Sequence, residues 1–450
     1  MIVVLSDLHF QDTATSGPTQ HASANVTPAA FEQLWRQIDV LAERADASGP
    51  ITVVLNGDIL ELLRSEQWLV DGSRPYNFVG NLDADALRTA AKIGAAILRE
   101  NERALAALRG RRDVNFVFVY GNHDRLLRHD ALADVRARFA ELVGADVRFV
   151  DSYCDERHRL VVLHGHELDW TCSEYQHARV FEGRDARNPA LRMHAPLGDW
   201  VALDIGTRLP HLAWQMLTSG DKRWDDLPAP LRHDLYARLV HLDDLRPPSE
   251  VLRWLTRPAQ IDDLTARAGE LVAMARFLGD LMNELVTSAM PRVESWLEVH
   301  GRPLFDRLAL GAVELLGSTK YTASTLPAVM EKIHTYLAGQ DKPWMVLPRI
   351  DEWRDAGYAT FTSGHTHEPL ALPVRNASPF STAARPDGAA WYVNTGTWRK
   401  TIVRSPVDAD TYGAIKQIAF AVFYDAEETY RATGDLSVTF DLWQGSSQRL

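Results

Sequence analysis

Four short apolar runs in the first third of the chain, Ile2–Leu5, Ile51–Leu55, Val114–Tyr120 and Leu160–Leu163, lead straight into side chains able to bind metal. Rich in β-branched residues and only four to seven long, they predict strands buried on both faces. Apolar residues at helical spacing fill the gaps, as in Phe31–Val40 and Asp83–Arg109. Strands alternating with helices predict a layered α/β domain. In such sheets sites gather beyond the strands' carboxyl ends. That is where Asp7 and His9, Asp58, Asn122 to Asp124, and His164 stand, so these residues are expected to converge.

The character changes from about Asp169 to Gly357. Strand-like runs nearly vanish and helical spacing dominates, as in Leu264–Val286 and Val293–Leu316, with Trp170, Trp200, Trp214, Trp224, Trp254 and Trp296 in this section. Tryptophans at helical spacing are expected to form core. Strand patterns return at Ala359–Thr362, Trp391–Val393, Ile418–Phe423 and Leu436–Phe440, and Ser378–Gly388 reads as a surface loop. The expected organisation is a catalytic domain from residues 1–168 and 358–450, interrupted by an all-helical insertion at 169–357. That insertion would serve as a cap or lid, or as a dimer face.

Composition narrows the classes. The 450 residues are 46% hydrophobic and 24% charged, enough for a large core and unlike a disordered chain. A formal charge of −12 argues against unspecific coating of nucleic acid, which needs a positive field. Two cysteines, Cys154 and Cys172, are too few for a disulfide framework. No apolar stretch is long enough for a membrane span, and no leader pattern precedes Met1–Leu5, so the expected compartment is the cytoplasm.

Read together, the polar ends form an ordered series: Asp7-Leu-His9, Gly57-Asp58, Gly121-Asn122-His123-Asp124, His164-Gly-His166 and Gly364-His365-Thr-His367. Imidazole and carboxylate groups are the ligands expected for Mn, Fe, Zn or Co. In this order the five elements resemble the calcineurin-like metallophosphoesterases, whose pattern is D-x-H, G-D, G-N-H-D/E, a later His and G-H-x-H. The likeness spans roughly residues 1–168 and 358–400, and implies β-sheets layered as a sandwich and flanked by helices. The ligand spacings are 49 residues from His9 to Asp58, 64 to Asn122 and 42 to His164, then 201 to His365, which locates the insertion.

The resemblance implies a dinuclear centre. Asp7, His9 and His367 would hold one divalent ion, Asn122, His164 and His365 the other, and Asp58 would bridge them. Mn²⁺ is the first choice of metal. A hydroxide between the ions would attack phosphorus while His123 assists the leaving oxygen, with Asp124 orienting the imidazole. His166 is expected near the pocket. The loop Asn394–Lys400 resembles the family's closing N-T-G-S/T segment and is expected to pack beneath the metals. Arg125, Arg399 and Arg64 are candidates for holding substrate phosphate, since guanidinium matches a phosphate edge.

Gly57-Asp58-Ile-Leu-Glu61-Leu and His164-Gly-His-Glu-Leu-Asp169 are similar to the branch containing UDP-2,3-diacylglucosamine diphosphatase. That branch is far shorter and usually has Arg where His123 stands. The expected activity is hydrolysis of a phosphoester or pyrophosphate bond in a small, nucleotide-like or sugar-nucleotide substrate. A nuclease of the same metal class would need a basic groove. A non-catalytic scaffold would have lost ligands, and here every position is filled. A homo-oligomer formed through the insertion is the one protein partner the sequence suggests.

Overall fold

The computed structural model describes residues 1–13, 26–77, 82–169, 195–256, 356–375 and 390–447, apart from single or paired positions within those ranges, with a few residues elsewhere. The expected loop Ser378–Gly388, the pattern Val293–Leu316, all but four residues of Leu264–Val286, and Trp170 and Trp296 lie outside the described residues.

Two sheets form the frame. The strands are β1 Ile2–Leu5, β2 Ile51–Asn56, β3 Val114–Val119, β4 Val147–Val150, β5 Tyr153–Asp155, β6 Leu160–Val162 and β7 Leu245–Arg246. After them come β8 Thr360–Ser363, β9 Leu370–Arg375, β10 Ala390–Asn394, β11 Lys400–Arg404, β12 Tyr412–Tyr424 and β13 Thr439–Ser447. The first sheet runs β4-β3-β2-β1-β12-β11-β7, with β13 also paired to β12, and the second runs β5-β6-β8-β10-β9. β1 to β4 are mutually parallel. So are β6, β8 and β10.

Side-chain alternation along each strand divides the core in two. Val3, Leu5, Val53, Leu55, Phe116 and Phe118 face the helices α1 Pro28–Arg44, α2 Ala84–Glu100, α3 Glu102–Arg109 and α4 Ala133–Val143. Ile2, Val4, Val54, Val117 and Val119 turn the other way, onto Leu160, Val162 and Val393 of the second sheet. Each such side chain taken fully out of water contributes about 1.5–3 kcal/mol. Burying both faces forces these strands to be apolar throughout, so polar residues are admitted only at their ends.

Asp83–Arg109, read as one helical pattern, is two helices. The Asn101 side chain donates to the carbonyls of Ile97 and Gln11, both at 2.9 Å, and the chain bends there. An Asn that bonds to local backbone competes with the helical ladder. The last strand begins three residues later than the apolar run suggested and extends to Ser447, because β12 supplies a backbone partner for every residue from Thr439. The fold itself is the expected one: β-sheets flanked by helices. Among the described residues no helix is long and apolar enough to cross a membrane.

Residues 195–256 are mainly helical, with α5 Arg208–Ser219, α6 Ala229–Val240 and α7 Val251–Thr256. They build a second core from Leu209, Met216, Trp224, Leu231, Leu235, Leu239 and Trp254, onto which Ile402 of β11 packs. Trp200 joins the main core instead. The segment also carries β7, whose Leu245 and Arg246 pair in parallel with Ile402 and Val403. The helical spacing gave no sign of that strand, since two residues are too short to carry a period.

Candidate metal centre

The loops that follow β1 and β2 continue the parallel pairing after the strands end. Asp7 N–H donates to the Gly57 carbonyl, His9 to Asp58, Phe10 to Ile59, and Glu61 back to Phe10, at 2.8–3.1 Å. Asp7, His9 and Asp58 are thereby presented side by side. Asp7, His9, Asp58, His365 and His367 all hold positive φ, between 45° and 68°, although each carries a Cβ. Such conformations are costly and cluster where the surroundings enforce them. Only two other non-glycine residues, Asp46 and Arg159, share that region among those described.

Two motif glycines are required by close approach. A Cβ on Gly121 would stand 2.2 Å from Asp58 Oδ1 and 2.3 Å from its backbone nitrogen. One on Gly364 would stand 2.3 Å from Asp7 Oδ2. Each glycine thus makes room for a carboxylate from a different motif.

The side chains meet in two adjoining groups. Asp7, His9 and His367 bring one ligand atom each within 4.8 Å of one another, and so do Asp58, His164 and His365. His9 Nε2 and His367 Nε2 face each other at 3.1 Å, and Asp7 Oδ1 lies 3.1 Å from His367 Nε2. His164 Nε2 is 3.2 Å from Asp58 Oδ2, which lies 3.7 Å from His9 Nε2 and so joins the groups. His123 N–H donates to Asp58 Oδ1 at 2.8 Å.

The donor set fits cations. His164 Nδ1 is held by the Asn56 carbonyl at 2.8 Å and His9 Nδ1 by Glu61 at 2.9 Å, leaving each Nε2 lone pair to the interior. That is how an outer partner orients a metal-binding imidazole. His164 Nε2 and Asn122 Oδ1 are buried with no hydrogen-bond partner, which is costly unless something else meets them. His365 Nε2 lies 3.1 Å from Asp169.

The electrostatics agree. Burial opposes ionisation of Asp7, Asp58 and Glu61, but the facing histidines hold all three carboxyls well below the usual range. Burial and the Arg246 guanidinium push His367 down to about 3, so its ring is neutral and able to ligate. His164 departs from this pattern: burial lowers it, yet Asp58 draws it up to about 10, so its Nε2 can ligate only when a cation displaces the proton.

A calcineurin-like phosphoesterase family model matches residues 1–226, half of the chain. The chain belongs to that family. Membership implies metal-dependent phosphoester hydrolysis and divalent ions, and the two ligand groups are where such ions could be held. The match runs past residue 168 into the helical segment. No curated protein matches the chain.

His123 stands beside the metal groups, but Asp124 does not orient it. Asp124 accepts from Ile59 N–H at 2.8 Å and Gly121 N–H at 2.7 Å, so both its oxygens pin loops. Burial and the Asp58 charge push it up to about 7. The His123 ring is held by Glu61, Nδ1 to Oε1 at 2.6 Å. Burial presses His123 down, yet Glu61 and Asp58 prevail and raise it to about 9. Glu61 therefore grips His9 with one oxygen and His123 with the other. The sequence signal was there: one acid, three residues after Asp58, inside the apolar run Ile59-Leu60-Glu61-Leu62-Leu63.

The arginine candidates are also revised. Arg125 pairs with Asp199, and Arg64 with Asp243. Arg399 pairs with Asp243 at 2.6 Å and Asp244 at 3.3 Å. All three are buried on carboxylates of the 195–256 segment and so dock that segment to the sheet, rather than reaching for phosphate. His166 is fully buried, its ring 5.4 Å from His164, and burial with the neighbouring histidines keeps it neutral. It packs behind His164.

The Asn394–Lys400 loop lies beneath the ligands. Thr397 Oγ1 donates to the Asp7 carbonyl at 2.9 Å, and Asn394 Nδ2 to the Gly364 carbonyl at 2.7 Å. It ties the first ligand loop to the last.

Proposed function

We propose that the chain is a dinuclear metal-dependent hydrolase of a phosphoester or pyrophosphate bond in a small phosphorylated substrate. The observation that carries this reading is the convergence of imidazole and carboxylate groups from four separated strand ends, with Asp58 3.2 Å from His164 of its own group and 3.7 Å from His9 of the other. Asp7, His9 and His367 would hold one ion and Asn122, His164 and His365 the other, with Asp58 shared. Mn²⁺ is the expected metal. When bound, two such ions acidify a water and polarise the phosphoryl oxygen.

The remaining chemistry belongs to the protein. His123, exposed by 13% where its neighbours are more buried, can meet the leaving oxygen and deliver a proton. Glu61 fixes the ring's direction and favours its charged form. The catalytic unit would comprise residues 1–168 and 358–450, with 169–357 an insertion serving as a cap or as a dimer face; the docking of its described residues 195–256 supports the first of these. The basic groove needed by a nuclease gains no support from Arg64, Arg125 and Arg399, which are already paired with carboxylates.

A screen with Mn²⁺ against bis-p-nitrophenyl phosphate, p-nitrophenyl phosphate, nucleotide sugars and DNA tests the reading. Hydrolysis of a small ester or pyrophosphate is expected. His123→Ala should keep its metal and lose about 10²–10⁴-fold in rate, most for poor leaving groups. A metal-loaded protein that hydrolyses none of these substrates contradicts the proposal.

A further inference from the structure

At the boundary between the sheet and residues 195–256, the arginines follow one rule with one exception. Arg64, Arg125, Arg399 and Arg404 each pair with a carboxylate of the segment. Arg246 is the exception. It enters from the segment itself, on β7, and no carboxylate oxygen lies within 4.0 Å of its guanidinium among the described residues. Its Nη1 donates to the carbonyls of Asp243 at 2.8 Å and Leu245 at 2.7 Å. Its Nη2 touches His367 Nδ1. Pairing of β7 with β11 fixes the backbone that carries it.

We propose that Arg246 is the substrate-binding arginine of this site, holding a non-bridging oxygen of the phosphoryl group being cleaved. The inference rests on the hydrolase reading above and adds a residue that the sequence did not suggest. A half-buried guanidinium with no carboxylate in direct contact among the described residues has N–H groups to offer an anion, and a planar fork of them fits phosphate. Two carbonyls on Nη1 set the direction of the fork and leave Nη2 as the reaching group.

Nη2 already reaches the candidate ligand His367, so the fork stands at the edge of the metal groups.

The test is calorimetric binding of inorganic phosphate to the Mn²⁺-loaded full chain, read beside metal content and hydrolysis. Arg246→Ala is expected to keep its metal, weaken phosphate binding about 10–100-fold and raise KM more than it lowers kcat. Arg246→Lys keeps the charge without the fork and should recover only part of the affinity. It also serves as the folded comparison should the alanine variant be unstable. Arg404→Gln, which removes a boundary arginine paired with Glu250, should bind phosphate as the native protein does. Phosphate affinity unchanged in both Arg246 variants overturns the inference, as does a loaded native chain that binds no phosphate. A native chain that binds phosphate through Arg246 yet hydrolyses no ester leaves this inference standing and overturns the hydrolase reading instead.

Discussion

At the strand ends, side chains are fixed by backbone hydrogen bonds, positive φ angles and glycine gaps, as with Asp58 against Gly121. At the face where residues 195–256 meet the sheet, the fixing is by charge and nearly all of one polarity. Arginines 64, 125, 399 and 404 with Lys400 come from the sheet side, and Asp199, Asp243, Asp244 and Glu250 come from the segment. The first kind of contact determines position to a fraction of an ångström and tolerates no substitution. The second determines which surface docks where, and its contribution varies with solvent and salt. A metal centre needs the first kind. A docked segment that brings Arg246 to the centre can rely on the second, helped by the apolar contact of Ile402 with the segment's core.

The contrast can be broken by substitution, and the largest effect is expected at the shared carboxylate. Asp58→Asn removes the group proposed to be shared by both ligand sets and should cost at least about 10³-fold in rate, measured as kcat on the best substrate of the screen. Next is Glu61→Gln, which loosens His9 and His123 together. A fall of about 10–100-fold in metal affinity, with a matching loss of rate, is expected by metal titration and kinetics. Were Asp124 the orienting acid instead, Glu61→Gln would leave the His123-dependent rate intact.

Asp243→Asn probes the other region. It leaves Arg64 and Arg399 without their common partner and should cost about 2 kcal/mol by denaturant unfolding. Its Mn²⁺ content should stay native. Equal loss of metal and stability would show that docking and ligation are one structure, not two.

The smallest effect lies far from the centre. Glu428 accepts from Asp425 N–H at 3.0 Å and faces His158 Nε2 at 3.5 Å. Burial raises its pKa, but His158 and the Met1 ammonium, 2.6 Å away, prevail, and the group sits at about 2 in place of the ordinary 4.5. A carboxyl depressed on folding stabilises the protein above its unfolded value. That stabilisation shrinks as pH falls below about 4.5 and is gone below about 2. Glu428→Gln should therefore cost up to about 2 kcal/mol at neutral pH, nothing at the acid end, and nothing in metal content.

How much of this the sequence disclosed follows the same divide. Asp7, His9, Asp58, Asn122, His164, His365 and His367 were legible because strands buried on both faces cannot hide a carboxylate or imidazole except at their ends. The layered α/β class and part of the strand order followed from the same apolar runs, whereas the sandwich was implied by the family resemblance. Glu61 was overlooked because it sits inside an apolar run rather than at its end. Arg64, Arg125 and Arg399 were misread because a guanidinium beside a strand end looks the same whether it meets phosphate or a carboxylate 74 to 179 residues away. Helical spacing reports which face of α5 or α6 is buried. It does not report that Asp243 and Asp244 stand opposite arginines of the sheet, nor that Arg246, among the described residues, has no carboxylate in direct contact.

The central claim is that one set of strand-end ligands holds two divalent ions through a shared carboxylate. Counting bound Mn²⁺ per chain by elemental analysis, in the native protein and in Asp58→Asn, tests it most directly. The account predicts two ions per native chain and a clear loss in the variant. A native chain that retains no divalent ion, or an Asp58→Asn chain that keeps the full native complement, would contradict it.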